Sequence, residues 1–268
     1  MPIENAPFSQ AEYDRRITLT RQAMSDAGLD ALFVTDPSNQ AWLTGYDGWS
    51  FYVHQGVLIR GEGEPIWWGR YMDMLGGRRT CWMSHDSILG YGDHYVQSTE
   101  HHPMQDFAAH MRALGFDRSR IGVEMENYYY SAKAHAVLST ELPNATLIDA
   151  TALVNWQRLI KSDEEIAFIR KAARISEKVV TTAIDRAAPG VRKNDLVADI
   201  FHAGITGVED DWGDYPAIVP LTPSGLDATA AHLTWNGDEM REGEATFFEL
   251  SGCSRRYHAP LCRTVFLG

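Results

Sequence analysis

Residues 245–268 read ATFFELSGCSRRYHAPLCRTVFLG and contain two runs of strand-forming residues joined by the polar segment CSRR. Two such runs around a short polar turn predict an antiparallel hairpin. Upstream of them, AIVPL at 217–221 and AAHLTW at 230–235 have the same strand-like character. This part of the chain is therefore predicted to form an antiparallel sheet.

Helices precede these strands. The segment KSDEEIAFIRKAARISEKVVTTAIDRA at 161–187 opens with a capping box, Ser162 and Glu165, and RKNDLVADIFHAGITG follows at 192–207. Helices followed by antiparallel strands indicate an α+β layer, whereas the alternating helix and strand signals of the first half indicate an α/β domain. We therefore predict an α/β domain over residues 1–158 and an α+β domain over residues 159–268.

Composition excludes several classes of protein. Thirty-six acidic residues against twenty-four basic ones give a formal net charge of −12, which disfavours binding to nucleic acids and anionic membranes. No window approaches the roughly 18 uninterrupted apolar residues of a membrane span, so we expect a cytoplasmic protein. Cys81, Cys253 and Cys262 form no CxxC pair and predict reduced thiols without a structural zinc.

Two ionisable residues stand out among the predicted strands. His232 in AAHLTW and Glu249 in FFELSG have mostly apolar or small neighbours. Burying an ionisable side chain among apolar neighbours costs free energy unless the side chain is paired with another group or takes part in catalysis or binding. Taken alone, each is more often a satisfied or solvent-facing residue than a functional one.

A family resemblance strengthens the functional interpretation. The helix KSDEEIAFIRKAARI, the following PGVRKNDL, His232, and the Glu249 strand followed by RT resemble the creatinase and X-Pro aminopeptidase group. The resemblance implies a creatinase-like α/β N-terminal domain followed by an α+β pita-bread catalytic domain. Metal-dependent members have two aspartates on the hairpin, at the positions of Glu249 and Pro260.

Proline cannot ligate a metal, and one acid does not make a dinuclear centre. The chain is therefore similar to the metal-free, creatinase-like branch, and no metal or other cofactor is expected. Long runs such as TDPSNQAWLTGYDGWSFYVHQ and YHAPLCRTVFLG resemble members that open the ring of a cyclic amidine. The implied substrate is a small zwitterion whose amidinium carbon is already electrophilic.

The resemblance also implies roles for residues. His232 would activate water and then protonate the departing nitrogen, as a histidine can at neutral pH. Glu249 would act either as counter-ion of the amidinium or as nucleophile, and this choice stays open. Tyr257 and His258 would contact the tetrahedral intermediate or hold Glu249, although packing or surface roles are equally open.

Aromatic residues are the candidates for holding the cation, because delocalised cations bind to aromatic faces. Those candidates are Trp49, Phe51, Tyr52, Trp212, Tyr215 and Trp235, with core packing as the alternative for each. Arg263 is a candidate for the substrate carboxylate, with a salt bridge inside the sheet as the alternative. The family implies a homodimer in which the N-terminal domain completes the neighbouring site.

Two alternatives and several open points remain. The first alternative to a metal-free hydrolase is a metal-dependent proline-specific peptidase, which Pro260 disfavours, and the second is a non-catalytic or incomplete protein that only binds a ligand or a partner. Family members continue past RTVFLG, so the resemblance predicts that the chain is C-terminally truncated and has weak or no turnover alone. Which amidine C–N bond breaks stays open. Four further histidines are interpreted as surface residues: His85, His94, His101 and His102.

Overall fold

A computed structural model describes residues 6–268. The chain divides into two compact units, of which the first ends at Ile160 and the second begins at Lys161. No helix in the described part of the chain is long and apolar enough to cross a membrane.

The first unit has a six-stranded mixed sheet. Its strands are β1 (Ala31–Val34), β2 (Gly56–Arg60), β3 (Ile66–Arg70), β4 (Ile88–Tyr91), β5 (Arg120–Val123) and β6 (Thr146–Asp149). They lie in the order β4-β3-β2-β1-β5-β6. Strand β2 pairs antiparallel with β1 and β3, and the other neighbours are parallel. The helices are α1 (Gln10–Asp26), α2 (Pro37–Thr44), α3 (Tyr71–Thr80), α4 (Pro103–Ala113), α5 (Ala132–Glu141) and α6 (Leu153–Gln157).

Both faces of this sheet are covered. Successive side chains of a strand point to opposite faces, so the adjacent Trp67 and Trp68 enter two separate hydrophobic cores. Leu32 and Phe33 of β1 divide between the same two cores. The sheet is thus sandwiched between helices, as expected for an α/β domain.

The second unit consists of two helices packed on a hairpin. Its elements are α7 (Asp163–Arg186), α8 (Lys193–Thr206), β7 (Ala245–Ser254) and β8 (Tyr257–Phe266). The predicted capping box is confirmed, since the Ser162 hydroxyl accepts from the Glu165 N–H and the Glu165 carboxylate accepts from the Ser162 N–H. Ile175 of α7 and Phe248 and Leu250 of β7 share one core.

Helix α7 approaches β7 closely at Gly252. A Cβ at this position would lie 2.5 Å from both the Ala172 carbonyl oxygen and the Ser176 nitrogen. Real Cβ atoms do not come so near to backbone, so the close approach of helix and strand requires glycine.

The hairpin prediction is confirmed, but two predicted strands are wrong. Residues 217–221 form only an isolated bridge, Leu221 with Glu249. Residues 230–235, which contain His232, follow the 3-10 turn Gly225–Thr229 without entering a strand. Their backbone makes local turn bonds, such as the Leu233 N–H to the Ala230 carbonyl at 3.1 Å, in place of ladder bonds.

Candidate functional site

Glu249 lies near the centre of the second unit's β structure. In the β7–β8 ladder it is opposite Cys262, and Ser251 is opposite Pro260. On its other side, the Glu249 N–H and carbonyl both bond to the backbone of Leu221, at 3.1 and 3.2 Å. The backbone at Glu249 is therefore fixed from both sides.

The Glu249 side chain points away from the helices. Its neighbours Phe248 and Leu250 face the core with α7, so alternation places Glu249 on the opposite face, which it shares with Ser251, Pro260 and Cys262. We call this surface the Glu249 face. The carboxylate is half-buried, and no group in residues 6–268 hydrogen-bonds to it or pairs with it. A half-buried anion without a protein partner is suited to binding a cationic ligand.

The hairpin places one carboxylate, that of Glu249, on this face. Pro260 lies on the same face, at the position that the family resemblance gives to a second acid, and proline has no donor atom for a metal. Across the described residues, no group of three or more His, Cys, Asp or Glu side chains is arranged to hold a metal ion.

His232 lies in an exposed turn, not on a strand. No hydrogen bond joins it to Glu249 within the part of the chain that the structure describes. The structure therefore does not bring the two expected catalytic residues together through a direct contact.

Tyr257 lies on the helix face of the hairpin, opposite the Glu249 face. Its hydroxyl donates to the Glu165 carboxylate at 2.8 Å, and its ring stacks on Phe168 with centroids 6.1 Å apart. Glu165 and Phe168 both belong to α7. The contacts of Tyr257 therefore fasten the hairpin to the start of α7 and do not reach Glu249.

His258 lies on the Glu249 face, but both of its ring nitrogens are engaged. Nε2 accepts the Ala217 N–H at 2.9 Å, so the ring hydrogen is on Nδ1, which donates to the Arg256 carbonyl at 3.0 Å. Burial lowers the pKa of His258, which keeps the ring neutral. This side chain ties the segment before the Leu221 bridge to the hairpin, a positioning role that spacing alone did not reveal.

Two of the predicted aromatic residues already contact cations of the same chain. The guanidinium of Arg255 lies 5.1 Å from the Trp212 ring centroid, and that of Arg256 lies 4.0 Å from the Tyr215 ring centroid. Both arginines occupy the β7–β8 turn with positive φ. Each of these two aromatic faces therefore carries a guanidinium of the protein itself, and contact with a substrate cation stays a prediction.

The other candidates are dispersed. Trp235 packs edge-on against Phe201 at 6.2 Å. Arg263 shares the helix face of the ladder with Phe248, is exposed, and donates to the Cys262 carbonyl at 2.7 Å. The alternative of a salt bridge within the sheet is wrong, because no acidic group of residues 6–268 pairs with Arg263.

The remaining aromatic candidates form a cluster in the first unit. Trp49 lies 5.3 Å from Phe51 and 5.8 Å from Tyr52, and Phe51 contacts Tyr129 edge-on at 6.0 Å. Trp49 and Tyr52 are 63% and 59% exposed, so packing within this unit leaves most of their surface open to a ligand or partner.

Comparisons with known proteins agree with this architecture. Residues 16–160 match the creatinase/prolidase N-terminal domain, and residues 167–268 match metallopeptidase family M24. The chain is 50% identical to the ectoine hydrolase of Halomonas elongata over 269 residues, covering 98% of this chain and 67% of the relative.

Solved structures show the same fold. An Xaa-Pro dipeptidase from Bacillus anthracis aligns with a TM-score of 0.74 at 17% identity, covering 96% of this chain and 65% of that one. A prolidase from Thermococcus sibiricus aligns with a TM-score of 0.77 at 18% identity, covering 97% and 67%. The chain thus spans about two thirds of the length of these relatives.

Proposed function

Because the chain belongs to the creatinase/prolidase and M24 family, we propose that it is a hydrolase that opens the ring of ectoine. The identity of 50% to an ectoine hydrolase supports the substrate, and we extend it to hydroxyectoine. The observation that carries the proposal is the half-buried Glu249 carboxylate, which has no partner in the described chain and lies beside Pro260.

Ectoine carries its own positive charge. Its ring amidinium carbon is electrophilic, so a Lewis acid is less needed than at a peptide carbonyl. Addition of water to this carbon and cleavage of one C–N bond yield N-acetyl-diaminobutyrate, with one proton of the water passing to the departing nitrogen. The reaction balances without any further reactant.

Glu249 faces the amidinium in this proposal. As counter-ion it orients the ring and stabilises positive charge in a poorly hydrated site, and as nucleophile it forms a covalent adduct that water then hydrolyses. His232 is proposed to move the protons, and this role rests on the family resemblance, because the structure places His232 in an exposed turn.

Metal independence, a cytoplasmic location and a homodimer are parts of the same proposal. The donor-free side chain of Pro260 supports the first, and the net charge of −12 suits a soluble cytoplasmic protein. The exposed cluster of Trp49 and Tyr52 supports contact of the N-terminal domain with a neighbouring subunit or its ligand.

An NMR time course tests the proposal on the protein expressed from its own gene. Ectoine, hydroxyectoine, creatine and an Xaa-Pro dipeptide are supplied in parallel, each with and without a chelator. We expect only the two ectoines to be consumed, at rates that the chelator leaves unchanged. Hydrolysis of the dipeptide that stops with chelator would favour the peptidase alternative, and binding of ectoine without turnover would favour a ligand-binding protein.

A further inference from the structure

The first unit contains a cleft lined by histidine and tyrosine side chains. It has a volume of about 230 Å³ and includes Tyr52, His54, Tyr95, Ser98, His101 and His102 in its wall. The rings of His54 and His102 lie 4.7 Å apart. The Tyr91 hydroxyl donates to the His54 carbonyl at 2.8 Å and thereby fixes that segment against β4.

The sequence indicates His101 and His102 only as surface residues. This prediction is wrong for His102, which is half-buried.

The hydrogen bonds of His102 fix its proton. His102 is the N-cap of α4, and its Nδ1 accepts the Met104 N–H at 3.1 Å. A neutral imidazole with an accepting Nδ1 carries its hydrogen on Nε2, which is therefore a donor. A metal ion on Nε2 would require the hydrogen to move to Nδ1, where it would oppose the Met104 N–H. The geometry thus favours a ligand that accepts hydrogen bonds over a metal.

Ser98 is a second donor by the same reasoning. Its Oγ accepts the N–H groups of Glu100 and His101 at 3.2 and 3.0 Å, which leaves the hydroxyl hydrogen to donate. None of the lining residues, all within the described chain, is acidic.

The electrostatic surroundings favour an anion. Burial, the neighbouring His54 and the positive charge of Lys133 lower the pKa of His102 to about 4. At neutral pH the wall therefore presents uncharged donors with a cation nearby, and no carboxylate of the wall competes for them. The aromatic and aliphatic parts of the wall suit a small flat or apolar body.

We propose that this cleft binds a small organic carboxylate, whose oxygens accept from His102 Nε2–H and Ser98 Oγ–H and whose body packs between the rings of His54 and Tyr95. This site does not depend on the proposed ring hydrolysis. It is a ligand site of the first unit, built by the loop before α4 and the segment before β2.

Ligand-observed NMR titration with benzoate tests the site, and benzamide is the neutral probe of the same shape. We expect saturable benzoate binding and at least about tenfold weaker benzamide binding, because hydrogen bonds to a charged group contribute about 1.5–3 kcal/mol. Equal affinity for the two probes, or no binding of benzoate, would overturn the proposal.

The variant His102→Asn separates binding from folding. Asparagine is a good N-cap and keeps the bond to α4, but it removes the Nε2–H donor. We expect unchanged thermal stability and about tenfold weaker benzoate binding, while His202→Asn, which changes an exposed histidine of the second unit, has no effect. If His102→Asn does not fold, Ser98→Ala, which removes the second donor to the carboxylate, replaces it with the same expected loss.

Location is checked with Glu249→Gln. Benzoate binding that persists in this variant supports the cleft of the first unit. Binding that disappears with Glu249→Gln, or that stays unchanged in His102→Asn or its replacement Ser98→Ala, would place the ligand elsewhere and contradict the proposal.

Discussion

At the residue scale, the contacts that a side chain makes in the structure distinguish a functional role from a stabilising role more clearly than its residue type does. Glu249 and Tyr257 both lie on the hairpin, and the sequence assigned both to catalysis. Alternation puts them on opposite faces, and Tyr257 already donates to Glu165 at 2.8 Å. We therefore expect a stabilising role for Tyr257, whereas the functional role of Glu249 stays a proposal.

The change Tyr257→Phe tests this assignment. Removing the hydroxyl leaves the Glu165 carboxylate without one of its donors while the ring stays stacked on Phe168. We expect the free energy of unfolding to fall by about 1 kcal/mol and ring opening to keep its rate. Denaturant unfolding and the NMR assay measure the two quantities. A large fall in turnover with unchanged stability would return Tyr257 to the chemistry.

His102 gives a prediction for pH. Its folded pKa, about 4, lies below the value of 6.5 for an unperturbed histidine, so the folded state binds fewer protons than the unfolded state between these values. The titration of His102 therefore leaves the free energy of unfolding unchanged above pH 6.5 and lowers it as the pH falls towards 4. The nearby His54 and Lys133 lower the pKa of His102, as burial does.

Denaturant midpoints at pH 7 and pH 5 measure this effect. We expect the wild type to lose more stability on acidification than His102→Asn, whose side chain does not titrate. An equal loss in both proteins would show that His102 is not the group responsible.

At the scale of elements, the sequence predicted those that depend on local signals. The cap of α7 follows from Ser162 and Glu165, and the β7–β8 hairpin follows from two apolar runs around a polar turn. The strand predicted at 230–235 is wrong, because a strand needs a partner strand for its backbone hydrogen bonds, and here the backbone bonds locally. Arg255 lies over Trp212 and Arg256 over Tyr215. These contacts depend on a turn with positive φ that no sequence pattern predicts.

The cap of α7 provides a prediction at this scale. In Ser162→Ala the Glu165 N–H loses its acceptor, which lowers the free energy of unfolding by about 1 kcal/mol. Ser162→Thr keeps the hydroxyl and is the matched control. Its free energy of unfolding is expected to change by only about a few tenths of a kcal/mol. Chemical denaturation followed by circular dichroism measures both. Equal stability of the alanine and threonine variants would contradict the capping role.

At the scale of the whole molecule, the two units have separate hydrophobic cores. The first unit has one core on each face of its six-stranded sheet, and the core of the second unit lies between α7, α8 and the hairpin. The separation after Ile160 lies two residues beyond the boundary predicted at residue 158. The capping box at Ser162 marks where the first helix of the second unit begins.

Limited proteolysis tests this division. Leu159, Ile160 and Lys161 are exposed and lie outside any helix or strand. We expect trypsin to cut first after Lys161, since exposed connections between compact units are preferred sites. Intact mass spectrometry identifies the fragments. A first cut inside either unit would contradict the division.

Whether Glu249 acts on a substrate that carries its own positive charge is tested most directly by ectoine turnover. Turnover by the protein expressed from its own gene is compared with that of its Glu249→Gln variant, with thermal unfolding of both as the control for folding. We expect kcat to fall by about a hundredfold or more, because one side chain that stabilises developing charge is lost. We expect unchanged stability, because the carboxylate has no partner in the described chain. A stable Glu249→Gln protein that turns over ectoine at the wild-type rate would show that Glu249 does not have this role.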